Sequence, residues 1–149
     1  MASRIVDFLD GRATHGGGLL INELWAQDDA YLEHRHDFIQ WLFPLQEASR
    51  AVAGAPVLTV QDVASIRASE AALGGLDCSS RRMMRFYQAT DAWLASRDHN
   101  HLRITRIIRS LRLLAGDQAA NAFRDSLIAD LSRRGGRVNP TSLDYWRDA

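Results

Sequence analysis

The spacing of aliphatic residues between His99 and Leu114 constrains this chain most. Ile104, Ile107, Ile108, Leu111 and Leu114 fall on one compact stripe when wound at about 100° per residue, the signature of an amphipathic helix. Arg103, Arg106, Arg109 and Arg112 recur at every third position and wrap the remainder of that helix. Helical spacing recurs along the chain, and no segment alternates apolar and polar residues for long, so little or no sheet is expected. The three prolines, Pro44, Pro56 and Pro140, each stand at an apparent element boundary.

Local signals divide the chain into helices. Ser3 caps a short first helix carrying Ile5, Val6, Phe8 and Leu9, and Gly11 ends it. Gly16, Gly17 and Gly18 form a loop, followed by a short helix over 19–26. Asp28 or Asp29 caps a longer helix that runs to Phe43, where Pro44 stops it. Thr59, with Asp62 three residues on, starts a helix that Gly74 and Gly75 end. Ser79 or Ser80 begins another, carrying Met83, Met84, Phe86, Tyr87, Ala92 and Trp93. Helices over 102–114 and 118–133 follow, broken at 115–117. Thr141 or Ser142 caps a last short helix with Leu143, Tyr145 and Trp146. The expectation is an all-α fold: one compact domain over residues 1–149 with about six or seven helices in irregular, orthogonal packing. The absence of a sustained heptad argues against a coiled coil.

Composition removes several chemistries. The 18 basic residues are all arginine, so Schiff-base lysine catalysis and a Walker-type phosphate loop are excluded. A lysine-free, arginine- and alanine-rich chain has the look of a bacterial, GC-rich coding sequence. The formal net charge of zero argues against coating nucleic acid or anionic membrane by charge alone. Cys78, the single cysteine, cannot close an internal disulfide, which points to a reducing, cytoplasmic compartment. The N-terminal residues lack a signal-peptide pattern, and no stretch is long and apolar enough for a transmembrane helix.

Candidate binding residues fall in two clusters. On a helix reaching Phe43, Glu33, His36, Asp37 and Gln40 lie at i, i+3, i+4 and i+7, a polar stripe flanked by Trp41. Arg35 departs from this pattern by facing the apolar side. The second cluster is His99, Asn100, Arg103 and Arg106, with Asn100 read as the cap of the arginine-rich helix. Tyr145 and Trp146, folded back, would add an aromatic wall to a pocket with Trp41. His34 and His36 lie about 200° apart on a helix and cannot share a metal. Glu33 to His36 supplies one Glu-x-x-His unit where a di-iron bundle needs two. No metal, cofactor, nucleophile elbow or catalytic triad is therefore expected.

These motifs together resemble the conserved domain of the opioid growth factor receptor family. The residues that carry the resemblance are Leu32-Glu33, the block from His36 through Asp37, Phe38, Ile39, Gln40, Trp41, Leu42 and Phe43 to Pro44-Leu45, and Ala55-Pro56-Val57-Leu58-Thr59. They continue with Arg82-Met83-Met84-Arg85-Phe86-Tyr87, His99-Asn100, Leu102-Arg103-Ile104-Thr105-Arg106-Ile107, Ser110-Leu111 and Leu143-Asp144-Tyr145-Trp146. The order fits over about residues 20–149, and Gln88 replaces the family's usual glycine. The resemblance implies a non-enzymatic binding or regulatory module with a peptide or protein segment as partner. Animal members are described as enkephalin receptors at nuclear and perinuclear membranes.

The expected site is Glu33, His36, Gln40 and Trp41 with His99, Asn100, Arg103, Arg106, Tyr145 and Trp146, the arginines pairing with a ligand carboxylate. Two alternatives stand beside it. One is a nucleic-acid-binding regulator that uses the arginine-rich helix 102–114. The other is an enzyme with Glu33 and His36 as acid–base partners.

Overall fold

A computed structural model describes residues 3–49 and 52–149. The described residues form nine α-helices and one 3-10 turn, and no strand. The helices are α1 (Arg4–Leu9), α2 (Ile21–Trp25), α3 (Asp29–His34), α4 (Ile39–Leu42), α5 (Val60–Arg67), α6 (Glu70–Ala89), α7 (Asn100–Leu114), α8 (Asp117–Arg133) and α9 (Pro140–Asp148), with the 3-10 turn at Ala92–Leu94. The all-helical class agrees with the sequence, and the helices outnumber the expected six or seven. Internal contacts group the described residues into two units, Met1–Ser79 and Ser80–Ala149, with the boundary inside α6.

In the first unit α1 packs against α4 and α5. Its core holds Phe8, Leu24, Leu32, Phe38, Leu42, Phe43, Ile66 and Leu76, all nearly inaccessible to solvent. Each such side chain contributes roughly 1.5–3 kcal/mol by leaving water. Thr59 and Asp62 form the expected capping box: Thr59 Oγ1 accepts from the Asp62 N–H at 3.0 Å, and Asp62 Oδ2 accepts from the Thr59 N–H at 2.9 Å.

Several helix boundaries differ from the sequence expectation, the first of them in the helix expected to reach Phe43. The helix from Asp29 stops at His34, and a separate turn, α4, restarts at Ile39. Arg35 takes an extended backbone, and its Nη2 donates to Asp37 Oδ2 at 2.6 Å. Residues two apart do not face each other on a helix, so this ion pair requires the break. The break also accounts for Arg35, which lies off any apolar face with its guanidinium 5.5 Å from the Tyr31 ring centroid.

The second difference lies in α6. Ser69 Oγ accepts from the Ala72 N–H at 3.1 Å, so the new helix starts just before Glu70. It then runs unbroken through Gly74 and Gly75, where the sequence suggests a stop. A Cβ on Gly75 would stand 2.2 Å from the Leu9 carbonyl oxygen and 3.2 Å from Ile21 Cδ1. Gly75 thus serves close backbone approach.

In the second unit α7 packs on α8, on α9 and on the 3-10 turn. The aliphatic stripe of α7 is buried throughout, as its spacing predicts. Gly116, at φ 107°, makes the turn from α7 into α8. The last helix is capped by Asn139 rather than by Thr141 or Ser142: Asn139 Oδ1 accepts from the Ser142 N–H at 2.9 Å, with Pro140 in the first turn. No helix among the described residues is long and apolar enough to cross a membrane.

Candidate functional site

In the first unit the break after His34 dissolves the expected polar stripe. Glu33 is half-buried near the end of α3, and His36 is exposed on the connecting loop. Gln40 is buried in α4, its Oε1 without a hydrogen-bond partner among the described residues. Trp41 is half-buried and packs its ring edge-on against Phe8 with centroids 5.5 Å apart, under the Arg4 guanidinium at 5.6 Å. A ring–cation contact of this kind contributes about 0.5–1 kcal/mol. With the helical register gone, the i, i+3 spacing of Glu33 and His36 on one helix face no longer applies.

A different polar pair stands here. His15 is fully buried, and its Nε2 lies 3.8 Å from Asp37 Oδ2. Burial acts to raise the Asp37 carboxyl pKa, yet the Arg35 hydrogen bond and charge, with a smaller contribution from His15, hold it below the usual aspartate value. His15 and Asp37 are far apart in sequence, and nothing in their local patterns pairs them. A groove of about 470 Å³ opens beside this loop, lined by His34, Arg35, His36, Asp37, Val52 and Ala53.

The second unit buries three of its six expected site residues, Asn100, Arg103 and Trp146. Asn100 is the first residue of α7 rather than its cap: Asp98 Oδ2 accepts from its N–H at 3.1 Å and from its Nδ2 at 2.8 Å. Asn100 Oδ1 accepts from the Tyr87 hydroxyl at 3.3 Å, with Arg103 Nη1 at 3.5 Å. His101 is buried between Trp93 O, 2.8 Å from Nε2, and Ser142 Oγ, 3.2 Å from Nδ1. Trp146 is wholly buried, and its Nε1 donates to His101 O at 3.1 Å. Trp146 therefore belongs to the core, not to a pocket wall as the sequence suggests. His99 stands exposed at the start of α7, its Nδ1 3.5 Å from Asp98 Oδ1, and Arg106 is half-buried.

Tyr145 does reach the surface, with 58% of its area accessible. It lines a groove of about 500 Å³ between α7 and α9 together with Thr105, Arg109, Arg112, Leu113, Asp148 and Ala149. Sequence reasoning passed over this face. Its signal was present, since positions 105, 109, 112 and 113 follow i, i+4, i+7, i+8 and share one side of α7. Of the four arginines spaced along α7, Arg109 alone is exposed, while Arg103 is buried and Arg106 and Arg112 are half-buried.

Comparison with known proteins adds one family. Residues 10–92 match the family described as the opioid growth factor receptor conserved region. Opioid growth factor receptor-like protein 1 of Mus musculus is 29% identical over 131 residues, covering 74% of this chain and 27% of its own length. The opioid growth factor receptor of Homo sapiens is 32% identical over 142 residues, covering 82% of this chain and 21% of its own. That of Rattus norvegicus is 33% identical over 115 residues, covering 63% and 20%. The chain thus spans about a quarter or less of these curated relatives, which come from animals. No solved structure matches it.

Proposed function

This chain belongs to the opioid growth factor receptor conserved-region family, and on that premise we propose that it is a non-enzymatic binding and regulatory module that captures a peptide or protein segment. The observation that carries this is the α7–α9 groove, in which exposed Tyr145 and half-buried Leu113 adjoin Arg109 and Arg112. A tyrosine offers a rigid apolar face with a polar tip, and arginine presents a planar fork to a carboxylate. The groove therefore suits a segment that combines an apolar side chain with an acidic group.

The relatives named as receptors support a peptide or protein partner. Buried Asn100, Arg103 and Trp146 act in this scheme as the frame that holds α7 and α9. On the first unit exposed His36 and half-buried Glu33 and Trp41 are secondary candidates, with Gln40 buried, and near the start of α7 so are His99 and Arg106. A reducing compartment and a bacterial source accord with the lone Cys78 and the lysine-free composition. Nucleic-acid binding is less well supported, because α7 does not present its four arginines as one exposed row.

Fluorescence-polarisation titration against a synthetic peptide array that includes an enkephalin peptide tests the proposal. Tyr145→Ala and Arg109→Glu are expected to weaken the best hit at least tenfold, and Val60→Ser, far from the groove in sequence, to leave it unchanged. Wild-type affinity in both groove variants would refute the assignment.

A further inference from the structure

The turn after α1 holds a histidine with an unusual set of neighbours. The His15 N–H donates to Leu19 O at 2.8 Å and the Gly18 N–H donates to His15 O at 2.9 Å, closing a tight turn. Inside it, the Leu19 N–H approaches His15 Nδ1 at 3.1 Å, while Leu19 O lies 3.2 Å from the same nitrogen. A backbone N–H can only donate. When Nδ1 accepts from it, the ring is neutral and its proton sits on Nε2. That Nε2 is buried, has no hydrogen-bond partner among the described residues, and faces Asp37 Oδ2 beyond hydrogen-bond reach.

Gly17 permits this geometry. A Cβ there would stand 2.6 Å from His15 Nε2 and 2.7 Å from Asp37 Oδ2. The other charges facing the histidine are Arg4, whose Nη2 donates to His15 O at 3.3 Å, and Arg35, which reaches it through Asp37. The Phe8 ring, 6.3 Å away between centroids, is neutral.

We propose that His15 is a proton-operated latch between the glycine turn 15–19 and the loop 35–38. Histidine changes charge between about pH 5 and 8. The second proton must go to Nδ1, which then stops accepting from the Leu19 N–H and donates to Leu19 O instead. The ring becomes an imidazolium facing Asp37. The carboxylate is then shared between Arg35 and His15, which draws turn and loop together and loosens Arg35 toward the groove beside it.

Imidazole 15N and backbone amide NMR on the whole chain, from pH 8 to pH 5, tests the latch. The expected result is an Nε2–H tautomer for His15 at pH 8, with the Leu19 amide and Asp37 carboxyl shifting at the His15 midpoint. Asp37→Asn should keep the fold and move that midpoint to lower pH, since the imidazolium loses its facing carboxylate. An Nδ1–H tautomer, a ring that stays neutral down to pH 5, or a midpoint unchanged in Asp37→Asn would each overturn the proposal.

Discussion

Arg112 Nε donates to the main-chain oxygen of Ala149 at 2.8 Å. The same guanidinium reaches Asp117 Oδ1 at 2.9 Å through Nη1 and Asn121 Oδ1 at 2.8 Å through Nη2. One planar fork thereby joins α7 to α8 and to the end of α9, and fixes one wall of the proposed groove.

Replacing Arg112 by lysine should therefore lower stability by about 1–2 kcal/mol, since a single ammonium cannot span three acceptors in this geometry. Arg109→Lys, on the exposed face, should change it by less than about 0.5 kcal/mol. Urea unfolding of the two variants gives the comparison. Equal effects would mean that coding bias alone explains arginine at both positions.

Two neighbouring glycines make opposite predictions. Gly75→Ala places a methyl group against the Leu9 carbonyl and should cost about 1–3 kcal/mol or more. Gly74 has nothing within 4 Å of its added Cβ, so Gly74→Ala should stabilise the helix by about 0.4–1 kcal/mol. Thermal and urea midpoints of each variant check the pair, and a stabilising Gly75→Ala would contradict the close-approach account.

The contrast between these glycines marks what sequence could and could not supply. Helix α7 was legible because its aliphatic stripe is long and unbroken, and α5 because Thr59 and Asp62 are a local capping signal. The passage of α6 through Gly74 and Gly75 was not, since the reason lies on Leu9, more than 60 positions away. The apolar period likewise runs across Arg35, and both sides of that break are buried as the period requires. The break itself depends on Arg35 and Asp37 pairing across two residues, which no periodicity reports. Of the expected site, Tyr145 alone reaches the α7–α9 groove. The motif residues Asn100, Arg103 and Trp146 are inward, because a recurring motif marks packing as readily as binding.

Acid should weaken the first unit through Asp37. Its carboxyl pKa is depressed in the folded chain, so its contribution is present above the unfolded aspartate pKa of about 3.9 and is lost as pH falls through the lower folded value. Both partners are partly solvated, so the contribution should stay under about 1 kcal/mol. Urea midpoints of wild type and Asp37→Asn should differ at pH 7 and converge toward pH 2. A difference that persists unchanged at pH 2 would contradict this assignment.

Capture of a peptide segment between α7 and α9 is tested most directly by amide chemical-shift mapping of the whole chain with the best-binding array peptide. The account predicts that the largest shifts fall on Thr105, Arg109, Leu113 and Tyr145 and disappear in Tyr145→Ala. Saturable binding with the largest shifts elsewhere, or retained in Tyr145→Ala, would contradict it.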